Sequence, residues 1–251
     1  MHRFLCCDII PIMEEKELIS IGDTAEMLGV SITTLRRWDE SGRFPATKSD
    51  GGHRMYSKTK VELYLHDLFA VAKDWCVNEI EIPSKFYCPN RAVFEARLMK
   101  MMDEFSKTEE YKDNFNFIVA IAGEIGNNSF DHNLGNWPDE SGVFFGYDTN
   151  GRKVVLADRG IGILESLKRV RSNLITHESA LTTAFTEVIT GRAPEERGNG
   201  LKFVKKTVID NSFGLVFQTG DAELIINKQE KGFHLRPSTE NFHGCLFLLT
   251  F

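Results

Sequence analysis

Asp148-Thr149-Asn150-Gly151 stands between two apolar runs, Gly142–Tyr147 and Lys153–Ala157. An Asn-Gly pair supplies the backbone that a tight reversal needs, so the two runs are predicted to pair as an antiparallel β-hairpin. The second run ends in Asp158-Arg159-Gly160-Ile161-Gly162-Ile163. An acid at a strand end followed by two glycines suits a purine. The carboxylate accepts from an exocyclic amine, and the glycines let backbone approach the ligand. By itself the pattern is short, and many turns contain it.

Two further segments carry chemistry. Residues Phe117 to Asn133 read as a helix that starts apolar and turns polar, with Glu124, Asn128 and His132 at i, i+4 and i+8 on one face. An amide oxygen can ligate Mg²⁺ without adding charge, and a carboxylate one turn away can take a proton from water or a hydroxyl. Taken alone, polar residues at this spacing describe a solvated helix face more often than a site. Farther on, Arg197-Gly198-Asn199-Gly200-Leu201 leads straight into an apolar-periodic helix. A glycine-rich entry offers backbone N–H donors and the positive end of the helix dipole to a phosphate. It is not the GxxxxGK[ST] phosphate loop, which is absent.

In this order the three segments resemble the ATPase superfamily of gyrase, heat-shock chaperones, histidine kinases and mismatch-repair MutL, the Bergerat fold. Glu124-x-x-x-Asn128-x-x-x-His132 resembles the N box, Asp158-x-Gly160-x-Gly162 the first glycine box, and Gly198-x-Gly200-Leu201 the second. His243-Gly244-Cys245 through Phe251 looks like the closing strand, with Cys245 where Thr is usual. The resemblance implies that Asn128 holds Mg²⁺ and Asp158 binds adenine N6. It implies that Gly160, Gly162, Gly198, Gly200 and Leu201 frame the nucleotide and that Glu124 is the general base. Residues 164–197 become an ATP lid, with Arg192 and Arg197 in reach of phosphate. No helix pair carrying a phospho-acceptor His precedes the N box, and no transducer domain follows the closing strand. The nearest analogues are therefore the small anti-sigma serine kinases.

The first seventy residues have a different character. Asp23 reads as a cap with Glu26 three residues on, and Gly29 stops the first helix. Ser31 opens a second helix that Gly42 ends. Ile32 and Leu35 are predicted to face inward, and Thr33, Thr34, Arg36 and Arg37 outward. Asp50-Gly51-Gly52 marks a hairpin, read as a wing. Val61, Tyr64, Leu65, Leu68, Phe69 and Ala72 lie at one-face spacing for a further helix. The whole chain has a net charge of −6, which excludes a general coating of nucleic acid, yet residues 31–60 hold seven Lys/Arg against three acids. This segment resembles the winged helix-turn-helix of the mercury-resistance-regulator (MerR) family, through Ile21-Gly22-Asp23-Thr24-Ala25, Thr34-Leu35-Arg36-Arg37-Trp38 and Gly51-Gly52-His53-Arg54-Met55-Tyr56. The resemblance implies DNA contacts from Thr33, Thr34, Arg36 and Arg37 on the second helix and from His53, Arg54 and Tyr56 on the wing. Trp38 is read as packing against the wing.

The expected fold class is therefore α+β. An N-terminal winged helix-turn-helix precedes a C-terminal two-layer α/β sandwich with a mixed sheet. Residues 1–15 read as an extension, 16–75 as the DNA-binding domain, 76–90 as a linker and 91–251 as the ATPase domain. Asn90 is expected to cap a helix from Arg91 to about Lys107. The apolar stripe of that helix docks on the domain or pairs two copies as a homodimer. Five cysteines without a CxxC argue against a disulfide framework and a zinc ribbon, and fit a cytoplasmic protein. No apolar run is long enough to span a membrane. The expected partners are double-stranded DNA and a protein partner. The expected cofactors are ATP and Mg²⁺. The expected function is a DNA-binding regulator modulated by Mg·ATP occupancy or hydrolysis, with an anti-sigma-like serine/threonine protein kinase as the alternative.

Overall fold

The computed structural model describes residues 17–78, 81–188 and 200–251. The chain divides into two compact units between Leu63 and Tyr64. Each is α and β in character.

In the first unit, β1 (Leu18–Ser20), α1 (Ile21–Leu28), α2 (Ile32–Glu40), β2 (Thr47–Lys48), β3 (Arg54–Ser57) and the start of α3 (Lys58–His66) follow one another. The strands form an antiparallel sheet in the order β1-β3-β2. The cap of α1 is Ser20, one turn before the expected Asp23. Ser20 Oγ accepts from Asp23 N at 3.1 Å, and the Asp23 carboxylate accepts from Ser20 N at 3.3 Å. β1 carries the chain in extended form up to Ser20, so the first helical turn begins at Ile21 and places Asp23 at the third position. Gly29 closes α1 in the left-handed conformation, at φ 66°. Leu28, Leu35, Trp38, Tyr56 and Val61 make the small core. Phe44 lies between Trp38 and Tyr56, at 6.3 and 5.8 Å between ring centroids, and so joins α2 to the wing.

The expected helix over Val61 to Ala72 is two helices. α3 ends at His66 and α4 (Leu68–Asn78) begins after one residue, Asp67. Asp67 caps α4, its carboxylate accepting from Ala70 N at 3.2 Å. The helix that follows in sequence is thus not an extension of the first unit. α4 packs in the second unit.

The second unit continues with β4 (Tyr87–Cys88), α5 (Arg91–Ser106), a 3₁₀ turn (Glu109–Tyr111), α6 (Phe115–Asn133), β5 (Val143–Asp148), β6 (Lys153–Asp158), α7 (Gly162–Lys168), α8 (His177–Thr186), α9 (Gly200–Asp210), β7 (Gly214–Ile226) and β8 (His234–Thr250). The predicted hairpin is β5–β6, paired from Val143↔Asp158 to Asp148↔Lys153. Its reversal uses the Asp148 carboxylate, which accepts from Gly151 N at 2.9 Å, and a left-handed residue at Arg152, φ 48°. The five strands lie in the order β4-β5-β6-β8-β7.

Every pairing in this sheet is antiparallel, which corrects the mixed sheet expected from sequence. The reason is the second hairpin. β6 and β7 run in the same sense, but β8 returns from β7 and inserts between them, so no two parallel strands are neighbours.

Side chains alternate between the two faces. Val143, Phe145, Val154, Leu156, Phe247 and Leu249 join the layer of α5, α6 and α9 in one core. Phe144, Val155, Ala157 and Leu246 face the other way, and Leu68, Val71, Ala72 and Trp75 of α4 cover them. The helix-on-sheet sandwich is therefore present, with α4 as an additional cover on its far side. α5 starts at the Asn90 cap, as expected, and docks its stripe on this core through Phe94, Met101 and Phe105. α5 and α6 approach closely at Gly126, where a Cβ would lie 2.1 Å from Phe94 Cζ.

Candidate functional site

A pocket of about 90 Å³ opens between α6, the β6–α7 junction, α8, the start of α9 and the inner face of the sheet. Asn128, Ser129, His132 and Asn133 line it from α6. Asp158, Gly162 and Ser166 line it from the end of β6 and from α7, and Gly200 and Leu201 from α9. Of the residues expected here, Asn128, Asp158, Gly162, Gly200 and Leu201 thus meet at one cavity. Gly198, Arg192 and Arg197 lie outside the described residues.

Asp158 is the centre of the polar network. It is 2% exposed. Ser129 Oγ donates to Oδ2 at 2.7 Å, Gly160 N donates to Oδ1 at 2.9 Å, and Asn133 Nδ2 stands 3.4 Å from Oδ1. Burial raises its pKa above the usual carboxylate value. The Ser129 hydroxyl, the Gly160 and Cys245 N–H groups and the Asn133 amide act in the opposite direction. The Asn133 donor has a better partner in Ser129 O, at 2.8 Å. A bound amine can therefore take the acceptor position that Asn133 only loosely occupies.

The glycines are required by close packing. A Cβ on Gly160 would lie 2.1 Å from Asn133 Nδ2. Gly162 has φ 73°, and its Cβ would lie 2.8 Å from Thr219 Oγ1. Gly160 itself acts beside the cavity, by donating to Asp158.

Glu124 sits one turn before Asn128, and Asn128 Nδ2 donates to Glu124 Oε1 at 3.1 Å. That bond uses the amide's donor side, so the amide's remaining chemistry is that of an acceptor. Glu124 also reaches Gly200, where a Cβ would lie 1.8 Å from its carboxylate. A side chain on Gly200 would fill the junction between the carboxylate and the N-terminus of α9.

Four residues of the network were not singled out from sequence. Ser129 and Asn133 supply donors to Asp158, and Asn133 Oδ1 also accepts from Ile161 N at 2.9 Å. They are four residues apart and share a helix face, but at i+1 and i+5 from Asn128 that face is turned away from the Glu124–Asn128–His132 stripe, and only β6 against it reveals their role. Thr219 donates to Gly244 O at 2.8 Å and accepts from Ile163 N at 3.3 Å, tying β7 and β8 to the glycine box. Nothing local in the sequence marks it, because its place arises from the register shift between Gln218 and Gly220. Ser166 Oγ lies 2.9 Å from His132 Nδ1, which gives His132 a partner across the pocket wall.

In the first unit, Thr33, Arg36, Arg37 and His53 are exposed, as expected. Two expected contacts do not face outward. Thr34 is 1% exposed, and its hydroxyl pairs with Ser31 Oγ at 2.8 Å inside the cap of α2. Tyr56 is 1% exposed and donates to Leu35 O at 3.4 Å, so it bolts the wing to α2. Both follow from β3 and α2 sharing one small core. Arg54 is held by Asp39, Nε to Oδ2 at 2.6 Å, and reaches Glu40 at 3.4 Å. Donation from Ala46 N and from Arg54 holds the Asp39 carboxyl below its usual range. Arg36, Lys48 and Lys60 enter no ion pair among the described residues. Ile32, expected inward, is 40% exposed, because it is the first residue of α2 and the buried stripe starts at Thr34.

Among the described residues, no helix is long and apolar enough to cross a membrane. The family model described as MerR family regulatory protein matches residues 20–56. A curated relative, the type II methyltransferase M.Eco47II of Escherichia coli, is 33% identical over 73 residues, which is 29% of this chain and 17% of that protein. Two solved structures are similar over 54% of this chain and 38% of theirs, each with a TM-score of 0.35. They are the ATPase region of Saccharomyces cerevisiae topoisomerase II, at 10% identity, and that region bound to ICRF-187 (dexrazoxane), at 12% identity. The chain therefore spans well under half the length of these proteins. Two short helices, a three-stranded wing and the family match define residues 20–56 as a MerR-type helix-turn-helix.

Proposed function

We propose that the chain is a DNA-binding regulator whose second unit binds Mg·ATP, and that occupancy of that unit modulates binding of DNA or of a protein partner. The observation that carries the nucleotide reading is Asp158. It is a buried carboxylate held by fixed donors, and it lines a pocket to which Gly162 and the first residues of α9, Gly200 and Leu201, also contribute. Such a group is costly to bury unless a ligand or fixed dipoles use its charge.

Within this reading Asp158 accepts from the purine amine, and Gly160 and Gly162 let the ring approach. The start of α9 at Gly200 and Leu201 faces the phosphates. Asn128 Oδ1 would hold Mg²⁺ when Mg·ATP is bound. Bound Mg·ATP supplies a transferable phosphoryl group. Glu124, at 3.1 Å from the Asn128 amide, is placed to take a proton from a water or hydroxyl. In the first unit Thr33, Arg36 and Arg37 face the major groove, and His53 with Lys48 stands on the wing toward phosphate. The reading implies a cytoplasmic protein.

The Glu124–Asn128 pair also favours a second reading, phosphoryl transfer to a serine or threonine of a partner protein. Calorimetry with Mg·ATP on wild type, Asp158→Asn and Glu124→Ala, with phosphate release on the same samples, tests the site. The expected result is binding by wild type, no binding by Asp158→Asn, and binding without phosphate release by Glu124→Ala. DNA titrations with and without ATP test regulation, and labelled phosphate on a protein substrate identifies the kinase. DNA affinity that is independent of ATP overturns the regulatory reading.

A further inference from the structure

Asp158 is the last residue of β6 and Arg159 follows it, yet the two side chains have different surroundings. Asp158 lines the pocket. Arg159 points to the α4 side, with its side chain 7% exposed. There its guanidinium pairs with Asp139, reaches Glu140 Oε2 at 3.5 Å, and lies 5.8 Å from the centroid of the Trp75 ring. Trp75 Nε1 donates to the same Glu140 oxygen at 3.4 Å. The next residue of α4, Cys76, directs its thiol at the Asp158 carbonyl, 3.7 Å away. Tyr87 packs edge-on against Trp75 at 6.3 Å, and burial together with Glu140 pushes its phenol up to about 12. The backbone that presents Asp158 is thus clamped from behind by one helix. That helix begins one residue after α3, through which the chain leaves the helix-turn-helix.

Resting on the nucleotide-binding reading above, we propose that Arg159 is a positioning residue that locks the Asp158 loop to α4, so that α4 senses the pocket and relays its occupancy to the DNA-binding head. A ligand that draws Asp158 and the Gly160 backbone toward itself moves Arg159 with them. The Trp75–Glu140–Arg159 contacts then transmit that movement to α4, which follows α3 in the chain after Asp67. Neither Arg159 nor Trp75 touches the pocket, so each acts only through the loop it braces.

The test uses the full chain. Tryptophan emission is followed during Mg·ATP titration. DNA affinity is then measured by anisotropy with and without saturating Mg·ATP for wild type, Trp75→Phe, Arg159→Gln, Arg159→Lys and Glu140→Gln. Wild type is expected to change emission on binding, and Trp75→Phe to lose most of that change. The ratio of DNA affinities with and without ATP is expected to be about fivefold or more in wild type. It should fall to near one in Arg159→Gln and Glu140→Gln, and return in Arg159→Lys. Glu140 is half exposed, so its variant keeps the test open if Arg159→Gln does not fold. A ratio that survives in both neutral variants overturns the proposal while leaving the regulator reading intact. A wild type that binds no ATP, or shows a ratio of one, overturns the regulator reading itself and this inference with it.

Discussion

The Ser129 hydroxyl donates to Asp158 Oδ2 at 2.7 Å, joining the middle of α6 to the end of β6. The bond places a donor on a buried charge, and it does so from a helix whose apolar side belongs to the main core. Helix position and carboxylate orientation are thereby linked. Ser129→Ala leaves that oxygen short of a donor. A loss of about 1–3 kcal/mol in stability is expected from one missing hydrogen bond to a buried group. Denaturant unfolding checks this, and calorimetry is expected to show weaker nucleotide binding in the same variant.

Acidity gives a second prediction. The folded pKa of Asp158 is raised by burial. The native state therefore holds a proton more tightly than the unfolded chain does. The ionised form costs stability above the folded pKa, and that cost is relieved as pH falls through it. Ligand binding has the opposite dependence, because the purine amine needs the ionised acceptor. Affinity for adenosine, which carries no titrating phosphate, is expected to fall on acidification while the pH is still above the ordinary carboxylate value of 3.8. Calorimetry across pH checks this, and an affinity unchanged down to that value contradicts it.

Three glycines separate packing from chemistry. Gly126→Ala drives a methyl into the Phe94 ring, and Gly160→Ala drives one into Asn133. Each is expected to cost about 1–3 kcal/mol by overpacking. Only Gly160→Ala should abolish ligand binding in the protein that remains folded. Gly200→Ala meets the carboxylate of Glu124 rather than backbone. That side chain can swing away, so stability should change little while phosphate release falls. Melting curves and a phosphate assay on the three variants check the contrast.

The head offers a fourth. Lys48→Ala, on the wing, should weaken DNA binding on all sequences and reduce the slope of log affinity against log salt by about one, as one phosphate contact does. Tyr56→Ala should lower stability by about 3–5 kcal/mol, because it empties a buried site between wing and helix. DNA binding is then lost only with the fold. Ile32→Ser should leave affinity for mixed DNA nearly unchanged and shift base preference away from thymine, whose methyl an exposed aliphatic contacts in the major groove. Selection from random duplexes, read beside urea melts, distinguishes the three.

Much of the site was legible in the chain because its parts are local. Glu124 and Asn128 share a helix face by spacing alone, and the hairpin that ends in Asp158 follows from two apolar runs about a polar turn. The partners of Asp158 were harder to see. Ser129 and Asn133 lie on the same helix, but they read as ordinary polar residues until β6 is laid against α6. Thr219 arrives through a register shift in β7. The head shows the same limit. Ser31 as a cap and Gly29 as a stop are local, whereas the burial of Thr34 and Tyr56 depends on β3 packing over α2.

The sequence by itself determined the two helices of the head, the helices that begin at Asn90 and run through Glu124, and the hairpin that ends in Asp158, whereas α7, α8 and β7 carried no local signal that was read. Capping, turn formation and apolar periodicity act over a few residues, and a local pattern is enough to specify them. Only the tertiary structure decided that β8 inserts between β6 and β7, that the sheet is antiparallel throughout, and that α4 leaves the head to cover the back of the Asp158 strand. Those outcomes depend on which apolar faces bury one another. That is a long-range contest settled by the total area removed from water, to which no single segment holds the answer.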